Sequence, residues 1–247
     1  MASLHVIGTP IGNLEDITLR ALRVLKEVDV VLCEDTRVTR TLFSKYGINT
    51  STLSYHAQSA LSKTDTILDM LAEGKHLALV SDAGTPGISD PGSMLVSRVR
   101  ERFASEIASG EMKIEAIPGP SALTAALSIA GVPCADFLFL GFLPHKKGRE
   151  TLFKEIAASV AASRTVVFYE SPHRIMKALE SLAKTFSPDT ASGDMLAVPS
   201  RVTICRELTK IYEEVVSGTA EEVLNFFKNN EEKVRGEFVV IVSAVVS

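Results

Sequence analysis

The chain has little of what builds a metal centre, a disulfide framework or a membrane span. Its three cysteines, Cys33, Cys134 and Cys205, are an odd number, lie far apart and form no CxxC pair, so they read as reduced core thiols. Five histidines, His5, His56, His76, His145 and His173, show no HxxxH or HxxEH spacing. A first-row metal site therefore has no local support, and none is expected. The longest apolar stretch, Phe238 to Val242 and then Ala244 to Val246, matches a buried strand. It falls far short of the roughly 20 residues that span a bilayer. Met1 to Pro10 carries no basic region followed by an apolar run of signal-peptide length, so the chain reads as cytoplasmic. No GxGxxG occurs, and the first glycine-containing loop is not followed directly by the lysine a P-loop would need, which argues against a nicotinamide cofactor and a P-loop nucleotide. Excess charge is missing too. Lys+Arg number 26 against 30 Asp+Glu, a net charge of −4, so any nucleic-acid partner must be drawn by a local basic patch.

What remains is a globular composition, with 46% hydrophobic and 23% charged residues. The first half alternates short β-branched runs with helical periods, as parallel sheets do. Strands are expected at Leu4–Ile7, Val30–Cys33, Thr52–Tyr55, Leu77–Val80 and Ile114–Ile117. Helices are expected at Thr18–Lys26, with Leu19, Leu22 and Leu25 on one face, and at Thr36–Tyr46, Lys63–Ala72 and Ser93–Ser109. Pro118-Gly119-Pro120 then breaks the pattern, and the domain boundary is placed at about residue 117, giving domains 1–117 and 118–247. In the second half, strands are expected at Phe137–Phe142, Thr165–Tyr169, Val202–Cys205, Tyr212–Val216 and Glu237–Val246. The third and fourth are too close in sequence to be anything but antiparallel. Helices are expected up to Ala162, over Pro172–Phe186 and over Ala220–Asn229, with a surface excursion at Ser187–Ser200. The fold class is thus α/β in two domains, parallel then mixed, with a ligand cleft expected between them.

The chemistry is expected in the loops at the strand ends. In SDAGTPGISDPG, Ser81 to Gly92, ten of twelve residues are Gly, Pro, Ser, Thr or Asp, and none can fill a core. The loop sits between a strand and a long helix, where backbone N–H groups are available to a ligand and Asp82 is able to accept from an ammonium. An elaborate turn, with Asp90 as an N-cap, is the plain alternative. Gly8-Thr9-Pro10-Ile11-Gly12-Asn13 forms a second loop, and Pro118-Gly119-Pro120-Ser121-Ala122 a third. Glu34-Asp35-Thr36-Arg37 brings two carboxylates and a guanidinium to the same sheet edge, or else caps a helix with Asp35. In the second domain FYESPHR (Phe168 to Arg174), RELTK (Arg206 to Lys210) and GEF (Gly236 to Phe238) also lie beside strands, and the basic run His145-Lys146-Lys147-Gly148-Arg149 either meets nucleic acid or is a solvated loop.

GTPIGNLEDIT, EDTR, SDAGTPGISDPG, PGPSA, FYESPHR, RELTK and GEF, in this order, closely resemble the bacterial small-subunit ribosomal RNA cytidine 2′-O-methyltransferases of the tetrapyrrole methylase superfamily. The resemblance spans nearly the whole chain. TPIGNL, EDTR and SDAGTP are its specific part, whereas PGPSA is shared with methylases acting on porphyrins, corrins and diphthine. It implies S-adenosylmethionine bound between the two domains, S-adenosylhomocysteine as product, a homodimer, and a decoding-region cytidine of 16S ribosomal RNA in the small subunit as substrate, with neither DNA nor a membrane as partner. Carried across by motif, Pro10, Val80, Ser81, Asp82, Thr85, Ser121 and Ala122 are cofactor contacts. Glu170, Glu207 and Leu208 match positions around the adenosine.

For the reaction so implied, the candidates for taking the ribose proton or orienting the sugar are Glu34, Asp35 and Glu170, with Asn13 as a hydrogen-bond partner. RNA contact is expected from Arg37, Arg40, Lys146, Lys147, Arg149, Arg174 and Lys210. Two rival readings stand beside this one. One keeps the cofactor but changes the acceptor to a small tetrapyrrole or a protein side chain, and the other is a non-catalytic cofactor-binding or ribosome-assembly module.

Overall fold

The computed structural model describes residues 1–56, 60–144, 148–187 and 199–245. The chain divides into two compact units, Met1–Ser121 and Ala122–Ser247. The first is built from β1 (Ala2–Ile7), α1 (Leu19–Glu27), β2 (Val30–Cys33), α2 (Thr36–Tyr46), β3 (Ser51–Ser54), α3 (Ala60–Ala72), β4 (His76–Leu79), α4 (Gly92–Arg102), α5 (Ala104–Ser109) and β5 (Met112–Ile117). Its five strands pair in the order β3-β2-β4-β1-β5, and every pairing is parallel. Side chains alternate across the sheet with period two. Ile7, Val31, Cys33, Ala78 and Val80 point to one face, where α1 and α2 bury Ala21, Val24, Leu25, Leu42 and Phe43. Leu4, Leu32, Leu77 and Leu79 point to the other, packed on Ile67 and Leu71 of α3 and Leu95 and Val99 of α4. Crossovers that step toward β3 thus use one face and those that step toward β5 use the other, as right-handed connections require.

Some local expectations need correcting. On α1 the buried stripe is Ala21, Val24 and Leu25, whereas Leu19 is 87% exposed. Thr18 caps the helix through its hydroxyl on the Ala21 N–H at 3.1 Å, and this phase turns the first residue, Leu19, toward solvent. The helix expected over 93–109 is two helices, because Phe103 leaves the helical region (φ −116°, ψ 32°) while burying its ring in the core. Cys134 is exposed, unlike the buried Cys33 and Cys205. Burial raises both buried thiols, that of Cys205 to about 11, so they stay protonated and inert.

The second unit contains α6 (Ala122–Ile129), β6 (Phe137–Phe142), α7 (Arg149–Ala161), β7 (Thr165–Glu170), α8 (Ile175–Thr185), β8 (Ser200–Arg206), β9 (Glu214–Gly218), α9 (Ala220–Lys228) and β10 (Phe238–Ala244). Its strand order is β6-β7-β10-β8-β9, with β6 and β7 parallel and the other pairs antiparallel. The uninterrupted apolar run of β10 is explained by its central place, buried on both faces. One face meets α7, α8 and α9 in a core that includes Phe168, Leu179, Val223, Phe227, Phe238 and Val240. Helix α8 begins at Ile175 and not at Pro172, because the Ser171 carbonyl first accepts from the N–H groups of Arg174 and Ile175 and closes a turn there. Thr219 and Glu222 form a reciprocal capping box on α9. Among the described residues, no helix is long and apolar enough to cross a membrane.

A polar group interrupts the first sheet at its amino-terminal end. The Ser3 hydroxyl lies 2.8 Å from both His5 Nε2 and His76 Nδ1, and Glu115 Oε2 is 3.2 Å from His5 Nδ1. Burial lowers the pKa of His5 below its ordinary 6.5, outweighing the opposite pull of Glu115. The unfolded chain therefore takes up a proton at this residue before the folded chain does. Stability is expected to fall as pH drops through about 6.5. Urea midpoints between pH 8 and pH 5 test this against His5→Gln, which is expected to show a smaller decline. An equal decline in both proteins removes His5 from the account.

Candidate functional site

The two central strands of the first sheet, β1 and β4, are neighbours whose chains leave for opposite faces, β1 toward α1 and β4 toward α4. Such a reversal opens a crevice at the carboxyl ends of the strands. The loops there are stitched together through their backbones. Thr9 and Gly84 exchange N–H···O bonds of 2.9 and 3.1 Å, and the buried Thr9 hydroxyl donates to the Ser81 carbonyl at 3.1 Å. Gly84 takes a left-handed φ of +81°, which a side chain would disfavour. Gly8 and Gly119 touch main chain to main chain, so that a Cβ on Gly119 would lie 2.6 Å from the Gly8 carbonyl oxygen. The Thr85 hydroxyl donates to the Pro120 carbonyl at 3.1 Å. Asp90 Oδ1 accepts the N–H groups of Gly87 and Gly92 at 2.7 Å each, folding the loop just ahead of α4.

A cavity of about 40 Å³ lies in this crevice, lined by Pro10, Val80, Ser81 and Asp82 together with Val38, Leu42 and Phe43. Four of the residues expected to meet the cofactor thus share one wall. Thr85 stands beside them in the same loop, while Ser121 ends the first unit and Ala122 opens α6 in the second.

The carboxylates at this edge differ in what holds them. Asp35 caps α2 through the Arg37 N–H at 2.8 Å and also binds the Arg37 guanidinium at 2.6 Å. The guanidinium first, and then the N–H, lower its carboxyl to about 2. Asp35 therefore caps a helix while pairing with an exposed arginine. Asp82 accepts the backbone N–H of Asp35 at 2.9 Å. Glu34 is half-buried at the end of β2, and its pKa is raised, first by burial and then by Asp82 and Asp90, against the pull of the Asp82 N–H. Asn13 accepts the Glu15 N–H at 3.0 Å and so caps the 3-10 turn Leu14–Asp16.

In the second unit the charged strand ends form two networks of their own. Glu170, fully buried in its side chain, receives Arg149 at 3.1 Å and Arg174 at 2.8 Å, and its own oxygen accepts the Ser171 N–H at 2.9 Å. The same arginines donate to the carbonyls of Pro144 and Leu143, which fixes the chain leaving β6. Lys210 bridges Glu207 at 2.9 Å and Glu237 at 2.8 Å. Glu207 and Thr209 both adopt positive φ, 51° and 64°, and Leu208 between them is buried. The Glu207 carboxylate accepts the Glu237 N–H at 3.1 Å and lies over Gly236, where a Cβ would collide with it.

Three cations expected to meet RNA, Arg149, Arg174 and Lys210, are engaged by carboxylates of their own unit. Arg37 is also paired, though exposed, and Arg40 is exposed on α2. Lys146 and Lys147 lie outside the described residues. The glycine contact and the two-arginine clamp escape sequence reasoning. Only the i,i+4 spacing of Glu170 and Arg174 hinted at the clamp.

Comparison with known proteins agrees with this architecture. Solved structures of the methyltransferase CobJ and of the cobalt precorrin-4 methyltransferase CbiF share the fold, with TM-scores of 0.62 and 0.61, each at 19% identity. The alignments cover 99% and 98% of this chain, and 95% and 94% of those chains. The chain belongs to the tetrapyrrole (corrin/porphyrin) methylases, whose family model matches residues 3–224, and it is a methyltransferase. Among curated proteins it is 41% identical to ribosomal RNA small subunit methyltransferase I of Thermotoga maritima, over 98% of this chain and 99% of that one. It is also 41% identical to the protein of that name from Escherichia coli O157:H7, over 97% of this chain and 77% of that one.

Two substitutions probe the site's frame. Gly119→Ala is expected to cost about 1–3 kcal/mol, since its Cβ meets backbone that has no rotamer to give way. Glu170→Gln leaves two arginines facing a neutral, buried partner and is expected to cost about 3 kcal/mol. Denaturant midpoints check both. A parent-like midpoint for either means that the contact is not constraining the fold.

Proposed function

We propose that the protein transfers a methyl group from S-adenosylmethionine to the ribose 2′-oxygen of a decoding-region cytidine in 16S ribosomal RNA, acting on the small ribosomal subunit as a homodimer. The observation that carries this reading is the near-complete alignment at 41% identity with proteins named ribosomal RNA small subunit methyltransferase I. The chemistry of the strand-end loops suits the donor. Asp82 lines the cavity together with Pro10, Val80 and Ser81, and Asp90 of the same loop adds a second carboxylate, a setting complementary to a cation such as a sulfonium or an ammonium.

In this reading Pro10, Val80, Ser81, Asp82 and Thr85 hold the donor, with Ser121 and Ala122 at the next loop. Bound there, S-adenosylmethionine supplies an electrophilic methyl group. The protein's task is to hold the acceptor oxygen close and in line, and the interlocked loops give that edge the rigidity such positioning needs. Phosphates of the RNA are met by Arg37, Arg40, Lys146 and Lys147, local cations on a chain of net charge −4.

The test is transfer of labelled methyl to small ribosomal subunits from cells lacking this modification, with the label located by digestion and mass spectrometry. Label on the ribose 2′-oxygen of a decoding-region cytidine is expected. Intact donor binding without label on RNA overturns the reading and shifts the acceptor to a tetrapyrrole or a protein side chain.

A further inference from the structure

Four side chains at the strand ends compete for the role of handling the acceptor's proton, and their surroundings separate them. Asn13 is an amide with no basic site at neutral pH, and its oxygen is committed to the Glu15 N–H. Asp35 is consumed by the Arg37 guanidinium and N–H. Glu170 is sealed between Arg149 and Arg174. The Arg37 guanidinium holds Asp35 in its charged form, which makes it a poor proton acceptor, and both oxygens of Glu170 are occupied by arginines, one of them also by the Ser171 N–H.

Glu34 has the opposite environment. Among the described residues no cation lies within ion-pair distance of it, and the groups that face it from the loop after β4 are the carboxylates of Asp82 and Asp90. Of the cations on neighbouring elements, Arg37 of α2 is paired with Asp35, Lys63 of α3 donates to the Ser54 carbonyl at 2.7 Å, and Arg40 of α2 is exposed and lies beyond ion-pair distance of Glu34. Its position is nevertheless fixed. The Asp82 N–H donates to the Glu34 side chain, and the Asp35 N–H donates in return to Asp82, so that side chains and backbones are clasped across the ends of β2 and β4. Asp82 in turn lines the cavity of the crevice.

We infer that Glu34 is the proton acceptor of the methyl transfer, a role that rests on the reading of function given above. The ribose O–H bond breaks and its proton passes to a Glu34 carboxylate oxygen. The oxygen's bonding pair goes to the methyl carbon, and the pair leaving that carbon stays on the donor sulfur. One carboxylate and one sulfonium thus become a neutral acid and a neutral thioether, and no further reactant is needed. Burial and two like charges bring the basicity of Glu34 closer to the working pH than that of an ordinary carboxylate, which favours proton transfer.

Glu34→Gln and Glu34→Asp, made in the full chain, test the assignment with three readouts. Calorimetry is expected to show S-adenosylmethionine binding to Glu34→Gln within about threefold of the parent, while its turnover falls by about 100-fold or more. The rise of turnover with pH on the acid side is expected to vanish in Glu34→Gln and to persist in Glu34→Asp. Carbon-13 carboxyl resonances of the parent are expected to place the Glu34 midpoint above its ordinary 4.5. Turnover of Glu34→Gln close to the parent's, with the acid limb intact, overturns the proposal and leaves the reading of function standing. Loss of donor binding in Glu34→Gln overturns it as well, since the carboxylate is then a cofactor contact. A midpoint at or below 4.5 overturns it without any variant needing to fold. A parent protein that labels no RNA overturns the functional reading itself and this proposal with it.

Discussion

The first unit depends on main chain meeting main chain. The parallel sheet delivers five strand ends to one edge, and the loops leaving those ends would be free to wander without the contacts of Gly8 with Gly119 and Thr9 with Gly84. Backbone contacts have no rotamers, so they fix loops more tightly than side-chain packing does. Thr9 adds a buried hydroxyl that reaches the Ser81 carbonyl, and Thr85 reaches Pro120. Loops after β1, β4 and β5 thereby behave as one piece. Asp82 extends that piece to the end of β2. Rigid loops at a sheet edge suit a reaction in which alignment of the reacting atoms supplies most of the rate.

Charge is sorted in the same economical way. In the second unit the buried guanidiniums and Lys210 are balanced by carboxylates, and the network holds polypeptide in place: the Leu143 and Pro144 carbonyls in one case, the positive-φ turn at Glu207 and Thr209 in the other. At the edge of the first sheet the carboxylates Glu34, Asp82 and Asp90 gather with one another. Like charges kept together disfavour the ionised form and raise the basicity of a carboxylate among them, as they do for Glu34.

Much of this was legible in the chain, and the limits have physical causes. The β-branched runs, their spacing and the short β8–β9 connection identify the strands and the switch from a parallel to a mixed sheet, because period and loop length are matters of local geometry. The loops that carry chemistry stood out because Gly, Pro, Ser and Asp cannot fill a core. Leu19 misled because helix phase is set by the Thr18 cap and not by counting leucines. The clamp of Arg149 and Arg174 was illegible because a charge in a sequence shows no partner, and Glu170 becomes their neighbour only after β7 and two helix starts come together. The raised basicity of Glu34 was illegible for the same reason. It depends on Asp82 and Asp90, which belong to another strand's loop.

The turn at Glu207 ties together positions that mutation samples separately. Gly236 has no room for a Cβ while the Glu207 side chain lies over it, and Glu207 keeps its left-handed backbone through bonds to Glu237 and Lys210. A descendant of this chain that acquires alanine at position 236 first meets a steric collision. One that first shortens the side chain at 207 opens the space but leaves Lys210 with Glu237 alone. The order of substitutions therefore decides which are passable, and these two sites, remote in sequence, are inherited as a pair.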